Sequence, residues 1–225
     1  MIADAELKRI HYFSALGQPE LATIARQLLS QDLAKGSELL RQGERSEYIY
    51  FIVSGIVKVY KTSVSGKELI LNVAYPGESL NDVSIYDNAP SPASMLAITP
   101  VRLLKISKPD LVAIMAKIPQ VAQNALRVMA SRVRRDSNLA EDLSFYHVTE
   151  RVARLLLKNI NNVETDIFSL KQSEIAAAVG ATRESVNKSI RELEENDLIS
   201  LTRHGIKIKD LALMMEYINT QPQQD

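Results

Sequence analysis

The chain has 225 residues with 27 basic and 27 acidic side chains, so its formal net charge is zero and no global basic field indicates nucleic acid. Cysteine is absent, which excludes disulfides, thiolate metal sites, iron–sulfur clusters and cysteine nucleophiles. The histidines His11, His147 and His204 are too scattered for a metal site, and the lack of a long apolar run or signal-peptide pattern predicts a cytoplasmic protein without a membrane span.

Short β-strands are predicted for the first part of the chain, after a helical lead-in around residues 20–29. The segment YIYFIVSGIVKVYKT (48–62) is rich in β-branched and aromatic residues, and its interruption at Gly55 suits a hairpin or a bulge. Further strands are expected in KELILNVAYPGESL and, on either side of Pro100, in MLAITPVRLLKIS. Short strands with turn signals at near-regular spacing predict a sandwich or barrel.

After Pro109 the pattern becomes helical, and mostly apolar positions recur in steps of four and three, the spacing of a coiled-coil seam. A single amphipathic helix packed on its own domain is the alternative, but polar residues elsewhere ("SRVRRDSN") favour self-association. Asp136 on the seam would be costly opposite its symmetry mate unless paired, and Arg132 and Arg135 lie near enough in sequence to be its partners. The predicted seam is Ala122, Leu126, Met129, Val133, Asp136, Ala140 and Leu143.

A helix-turn-helix with a β-hairpin wing is predicted from about Phe145 onwards. SLKQSEIAAAVG and TRESVNKSIRELEEN form two helices that meet at Gly180, where the turn needs positive φ, and LISLTRHGIKIKD forms two strands turned at His204-Gly205. Glu192, Glu194 and Glu195 are assigned to a solvated face of the second helix. The predicted interface between the helices is Ile175, Ala176, Val179, Gly180, Val186, Ile190 and Leu193.

The first turn of the second helix carries side chains that suit base recognition. Thr182 is placed to cap this helix, whose first turn would reach base edges in the major groove. Arg183 can donate two hydrogen bonds to guanine, and Glu184 can accept one from cytosine. Asn187 and Lys188 lie one turn further on the same face. A solvated helix of mixed charge is the alternative, and the neighbouring wing and seam favour DNA binding.

Four stretches together resemble the CRP/FNR superfamily of bacterial transcription regulators over almost the whole chain: LRQGERSEYIYFIVSGIVKVYK, PGESLNDVSIYD, HVTERVARLLL and SEIAAAVGATRESVNKSIRELEENDLIS. The resemblance implies an α+β chain, with a cyclic-nucleotide-binding-like jelly roll over residues 1–118, a dimerisation helix over 119–144 and a winged helix-turn-helix over 145–225. It implies a homodimer on a double-stranded, pseudo-palindromic DNA operator, with RNA polymerase as a further partner.

The resemblance also assigns DNA contacts. Arg183, Glu184 and Lys188 match the family's base-reading positions, whereas relatives vary at Asn187. The adjacent Arg and Glu resemble the cyclic-AMP receptor branch and suggest a half-site of the TGTGA kind, although Lys188 replaces that branch's second arginine and is not a bidentate fork. The phosphate-contacting positions implied are Thr149, Ser173, Thr182 and Ser185, together with Arg203 and His204 at the wing.

Cyclic AMP is not the expected effector. Where cyclic-AMP-binding relatives have a glutamate for the ribose and an Arg-Ser pair for the phosphate, this chain has Asp82 and Pro92-Ala93. Proline and alanine side chains cannot bind a phosphate, and losing a charge-assisted contact to a buried anion costs several kcal/mol. On the central helix Ser137 matches an adenine-contacting position, but Asp136 replaces its threonine partner.

Three possibilities remain for the implied pocket: a different small effector, a pocket filled by its own side chains, and haem. Haem needs an axial ligand, which His11 or His147 could supply, although a lone histidine is more often structural. We rank an unidentified effector that is not a nucleotide first and haem last. The predicted pocket residues are Tyr75, Leu80, Asn81, Asp82, Pro92, Ala93, Met129, Arg132, Asp136 and Ser137.

Other classes of function fit the sequence less well. It contains no GxSxG, Walker or dinucleotide motif, so we expect that the protein is not an enzyme. A jelly-roll enzyme of the cupin type needs clustered histidines, and residues 40–110 contain none. A winged helix that binds protein remains an alternative, in which Arg183 and Glu184 would be ordinary surface charges.

Overall fold

The computed structural model describes residues 2–66, 68–160, 167–168, 172–203 and 205–220, without the side chains at 159–160, 167–168, 173–174 and 177. The chain forms two compact units, one comprising Met1–Lys61 and Leu71–Arg135 and the other Thr62–Ile70 and Asp136–Asp225.

The N-terminal part is built mainly of short strands. Its helices are α1 (Asp4–Arg9), a 3-10 turn at His11–Phe13, α2 (Gln18–Ala25), α3 (Asp82–Asp87) and α4 (Lys108–Lys117). Its strands are β1 (Leu29–Leu33), β2 (Glu38–Leu40), β3 (Tyr48–Ser54), β4 (Val57–Thr62), β5 (Glu68–Ala74), β6 (Ser79–Leu80), β7 (Ser94–Ala97) and β8 (Val101–Ser107).

These strands form two four-stranded sheets, in the orders β1-β8-β3-β6 and β2-β7-β4-β5, so the predicted sandwich is confirmed. Tyr50 and Ile52 of β3 join a core that both sheets contribute to. The alternating residues Ile49 and Phe51 pack instead into a second core with the helices. The strand is therefore apolar almost throughout because both of its faces are covered.

The predicted hairpin at Gly55 is wrong, because β3 and β4 lie in different sheets. At Gly55, between β3 and β4, the chain crosses from one sheet to the other. Beside it, at Pro100, the connection from β7 to β8 crosses back. The register of β3 on β8 shifts between Ile52 and Ser54, which agrees with the alternative prediction of a bulge. The predicted helix at residues 20–29 ends earlier, at Ala25.

The C-terminal part follows one long helix, α5 (Pro119–Phe145). Its other elements are α6 (Val148–Ile160), β9 (Ile167–Phe168), α7 (Gln172–Ala178), α8 (Arg183–Glu195), β10 (Ile199–Thr202), β11 (Gly205–Ile208) and α9 (Leu211–Thr220). The strands pair in the order β10-β11-β9. Buried residues from α6, α7, α8 and α9 share one core, which includes Leu156, Ile175, Val186, Leu193 and Met214.

Replacing Gly55 by alanine should destabilise the first unit far more than replacing Gly36. Both glycines have nearly the same φ, +87° and +85°, so the conformational cost to alanine is about 1–2 kcal/mol at each. A Cβ at Gly55 would lie 2.2 Å from the carbonyl oxygen of Pro100, whereas one at Gly36 meets nothing within 4 Å. We expect Gly55→Ala to lower the free energy of unfolding in urea by about 2 kcal/mol more than Gly36→Ala. Equal losses would contradict the crossing geometry.

Candidate nucleic-acid interface and effector site

The turn between α7 and α8 fixes the start of the second helix. Gly180 has φ +64°, and a Cβ there would lie 2.8 Å from Cδ2 of Leu143. Thr182 caps α8: its Oγ1 accepts a hydrogen bond from the backbone N–H of Ser185 at 3.1 Å. The predicted cap and the predicted positive-φ glycine are both confirmed. The start of α8 is therefore fixed by the Gly180 turn and the Thr182 side-chain cap, and its charged side chains remain exposed.

The side chains of α8 divide into an inner and an outer face. Val186, Ser189, Ile190 and Leu193 are buried. Of the predicted base-reading residues, Arg183, Glu184 and Lys188 are exposed. Asn187 is half-buried, and its Oδ1 has no hydrogen-bond partner within the described part of the chain. The structure thus places three of the four on one accessible surface, with Asn187 at its edge.

Glu192 is a structural residue that the sequence did not distinguish from its neighbours. The sequence predicts that Glu192 lies on a solvated face of α8, but its side chain forms hydrogen bonds to both α6 and α9. Its Oε2 accepts from Thr149 Oγ1 of α6 at 2.9 Å, and its Oε1 accepts from Tyr217 Oη of α9 at 2.8 Å. Burial, followed by the hydrogen bond to Glu192, raises the pKa of Tyr217 above its ordinary range, so this phenol remains a donor. The hydrogen bond from Thr149 to Glu192 occupies a hydroxyl that the sequence predicts to contact a DNA phosphate.

The other predicted phosphate-contacting residues are spread over the cap and the wing. The hydroxyls of Thr182 and Ser185 lie 2.9 Å apart at the start of α8. Arg203 is exposed beside the turn that follows β10. The side chain of Ser173 and the whole of His204 lie outside the described residues.

Two large apolar side chains of the predicted seam are exposed on α5. Leu126 is 70% exposed and Val133 is 69% exposed, seven residues apart on the same side of the helix. Ala122 and Met129 are half-buried, and Asp136 and Ala140 are exposed. Leu143 is half-buried against Gly180 of the helix-turn-helix.

Asp82 is the centre of a buried polar network in the first unit. Its carboxylate is completely buried and forms an ion pair with Arg132 of α5. It also accepts from Ser79 Oγ at 2.8 Å and from Tyr12 Oη at 3.1 Å. Tyr86 Oη in turn donates to Tyr12 Oη at 3.0 Å. The ion pair between Asp82 and Arg132 was not predicted. The sequence suggests Arg132, with Arg135, as a possible partner of Asp136.

Burial keeps both tyrosines of this network protonated. It raises the pKa of Tyr86 to about 12. It raises the pKa of Tyr12 further above the ordinary value, with Asp82 as the second cause. Tyr12 therefore remains a hydrogen-bond donor to the Asp82 carboxylate at every pH at which the protein would be used.

The remaining residues of the predicted effector pocket have mixed exposure. Leu80, Asn81 and Ala93 are buried, Met129 is half-buried, and Tyr75 and Pro92 are exposed. Asp136 and Ser137, which belong to the second unit, are exposed. Asn81 adopts φ +64°, donates from Nδ2 to the Tyr48 carbonyl at 2.8 Å, and has no described partner for Oδ1.

Neither a metal site nor a membrane span emerges from the described residues. Within them, no group of three or more His, Asp or Glu side chains could hold a metal ion. Among the same residues, no helix combines the length and the apolar character that crossing a bilayer requires.

Two family models match the chain. The cyclic nucleotide-binding domain matches residues 30–118, and the Crp-like helix-turn-helix domain matches residues 150–217. The first match covers the sandwich and the second covers α8, and the two matches flank the long helix α5 in the sequence. The expected division into a strand-rich sensor-type domain and a helix-turn-helix domain agrees with both matches.

Curated and solved relatives agree with these models. The CRP-like cAMP-activated global transcriptional regulator of Mycobacterium tuberculosis is 32% identical over 92% of this chain and 96% of its own length. The cyclic AMP receptor protein of Thermus thermophilus is 29% identical over 81% of this chain and 84% of its own length. A CooA mutant from Carboxydothermus hydrogenoformans shares the fold with a TM-score of 0.77 at 17% identity, covering 97% of this chain and 98% of that one. With both of its domains matched and a relative similar along nearly its whole length, the chain belongs to the CRP/FNR superfamily of transcriptional regulators.

Proposed function

We propose that the protein is a homodimeric, sequence-specific DNA-binding regulator controlled by a small effector other than cyclic AMP. The observation that carries the DNA-binding part is the exposed outer face at the start of α8. Arg183 and Glu184 in the first turn and Lys188 in the next project from a helix whose start is fixed by Gly180 and capped by Thr182. RNA polymerase is the expected protein partner of such a regulator.

Base recognition by these residues follows from their chemistry. An arginine fork matches O6 and N7 of guanine, and a carboxylate accepts from N4 of cytosine. Side chains at the start of a recognition helix are the ones that reach base edges. Thr182, Ser185 and Arg203 are proposed to contact phosphates, as are Thr149, Ser173 and His204, and such contacts set the register on the duplex without specifying sequence.

The exposed seam on α5 supports dimerisation. Regulators of this family act as dimers, and a symmetric dimer brings the same surface of each copy together. Leu126 and Val133, one heptad apart, would bury against their symmetry mates and lose contact with water. A coiled-coil contact of this kind would set the separation of two recognition helices.

The residues around Asp82 support an effector other than cyclic AMP. Pro92 and Ala93 provide no side-chain donor for a phosphate. Asp82 is already engaged by Arg132, Ser79 and Tyr12, so a ribose hydroxyl would have to compete with those contacts. The same satisfied network also favours one alternative, a regulator that binds DNA without any effector. Equal operator affinity before and after unfolding, dialysis and refolding of the protein would support that alternative.

The Asp82–Arg132 pair is the proposed link between effector binding and α5. Arg132 lies on α5, while Asp82 begins α3, so a ligand that disturbs this pair changes the contacts that α5 makes with the sandwich. An effector then acts by favouring one of two arrangements of the helix, and its influence is limited to the difference in its affinity for the two.

Arg183→Ala should weaken specific DNA binding by about 1–3 kcal/mol, because a bidentate contact to guanine is lost. The operator is first selected from randomised duplexes, and affinities are then measured by gel shift at fixed salt. Arg191→Ala, which removes the same charge from an exposed position further along α8, is the matched control. It should change specific and non-specific affinity in parallel. Unchanged operator affinity in Arg183→Ala would refute the assignment.

Val133→Glu should weaken the dimer about 100-fold or more, since two apolar contacts are lost and two carboxylates face each other. Sedimentation over a range of concentrations measures the effect. Val112→Glu is the matched control, because Val112 is also exposed, at 55%, but lies on α4. A Val133→Glu protein that dimerises as well as the control would exclude the seam.

Arg132→Gln should lower the free energy of unfolding by about 3 kcal/mol, because it leaves the buried Asp82 carboxylate without its cation. Adding Asp82→Asn to Arg132→Gln should recover part of that loss, since both charges are then removed. The exposed Arg134 lies two positions along the same helix, and Arg134→Gln should stay within about 0.5 kcal/mol of the wild type. Urea denaturation measures these free energies of unfolding. Equal values for Arg132→Gln and Arg134→Gln would rule out a structural role for the Asp82–Arg132 pair.

A further inference from the structure

The helices α5 and α6 are connected directly, by Tyr146 and His147 alone. The start of α6 is well defined, because the backbone N–H of His147 donates to the buried Glu150 at 2.7 Å. Each connecting residue nevertheless contributes soft backbone dihedrals, so the connection by itself leaves the angle between the two helices adjustable. Contacts between side chains of α5 and α6 therefore have to set that angle.

Arg154 of α6 reaches back across the connection to the end of α5. Its Nε donates to Asp142 Oδ1 at 2.7 Å, and its Nη2 lies 4.0 Å from Glu141 Oε1. Its guanidinium carbon is 4.2 Å from the centre of the Tyr146 ring, which is a cation–π distance. The Arg154 and Asp142 side chains are only 32% and 29% exposed, so water and salt screen this pair less than a surface pair. One side chain of α6 thus contacts both α5 and the connection.

A second arginine on the same face of α6 extends these contacts to the helix-turn-helix. Arg151 lies three residues before Arg154, and its Nη1 donates to the carbonyl of Val179 at 2.7 Å, just before the Gly180 turn. Burial lowers the pKa of Arg151, and the Asp142 carboxylate opposes this shift. Asp142 therefore interacts with both arginines of α6.

Packing brings the same end of α5 against the turn between α7 and α8. Leu143 follows Asp142 directly, and its Cδ2 would lie 2.8 Å from a Cβ at Gly180. Consecutive residues of α5 thus contact α6 through charge and the turn through packing. All of these residues lie within the second unit.

The exposed face of α8 moves with α6, because the two helices share a core. Val152 and Leu156 of α6 are buried in the same cluster as Val186 and Ile190 of α8. Interiors packed in this way resist deformation, so a change in the angle between α5 and α6 turns α8 as a rigid body.

We propose that Arg154 is a positioning residue for DNA recognition: its contacts with Asp142 and Tyr146 fix the angle between α5 and α6 and thereby the direction in which α8 is presented. The inference rests on the function proposed above, because the angle matters for DNA only if α5 joins two copies of the chain. A fixed angle lets the dimer bind half-sites at one separation, and a loosened angle admits others.

The angle itself can be measured without DNA. Because the sequence contains no cysteine, spin labels can be attached specifically at Asn138→Cys on α5 and Glu195→Cys on α8, both exposed positions. Double electron–electron resonance, with excess unlabelled protein to suppress distances between copies, should give one narrow distance distribution for otherwise wild-type protein. Arg154→Gln should broaden it, because the contacts with Asp142 and Tyr146 are lost.

Three further variants make this measurement specific. Lys158→Gln removes the same charge from an exposed position one turn further along α6, and it should leave the distribution narrow. Arg154→Lys keeps a cation beside Asp142 and Tyr146 and should restore most of the narrowness. Asp142→Asn removes the other partner and should broaden the distribution as Arg154→Gln does, so it carries the test if Arg154→Gln does not give a cooperative melting transition.

The consequence for DNA is tested by gel shifts on the selected operator and on operators with one base pair added or removed between the half-sites. The wild type and Lys158→Gln should prefer the selected spacing. Arg154→Gln should lose most of that preference while its non-specific affinity stays close to that of Lys158→Gln, since each removes one charge.

The outcomes separate this proposal from the function on which it rests. Equally narrow distributions in Arg154→Gln, Asp142→Asn and Lys158→Gln would overturn it, as would a spacing preference that survives in Arg154→Gln. If the wild type shows no sequence-specific binding, the proposed function fails, and a distribution broadened by Arg154→Gln would still support the fixed angle.

Discussion

The carboxylate of Asp82 is completely buried, and its partners come from three separate segments of the chain. Tyr12 belongs to the N-terminal 3-10 turn, Ser79 to β6 and Arg132 to α5. A buried charge without partners costs several kcal/mol, so these three segments have to meet at one point. The attachment of α5 to the sandwich therefore has a specific electrostatic contribution in addition to its apolar packing.

The same ion pair bears on the proposed effector other than cyclic AMP. Pro92 and Ala93 themselves provide no side-chain donor for a phosphate, whereas Asp82 engages α5 through Arg132.

The features that the sequence predicted correctly have local causes. The positive φ of Gly180, the cap at Thr182 and the apolar spacing along α5 each depend on residues within a few positions of one another. The assignment of β3 and β4 to different sheets was not predictable in the same way, because a hairpin and a crossover give the same alternation of side chains. The continuous apolar run from Ile49 to Ile52 was the available signal that both faces of β3 are covered.

The candidate functional sites also contain some residues that the sequence could predict from local patterns and others whose partners are distant in the chain. The exposure of Arg183, Glu184 and Lys188 follows from the helical period, because the core takes the opposite face of α8. Asn187 lies closer to that core than the sequence indicated. Glu192 could not be distinguished from Glu194 and Glu195, because its partners Thr149 and Tyr217 are 43 and 25 residues away. The Asp82–Arg132 pair, 50 residues apart, was missed for the same reason.

We propose that two copies of this chain read two half-sites on one face of a duplex. Affinity is measured for the selected operator before and after about five base pairs are inserted between its halves, which turns one half-site to the opposite face of the DNA. We expect the insertion to abolish binding by the dimer and about ten inserted base pairs to restore part of it. Equal affinity for all three duplexes would show instead that each copy reads DNA independently.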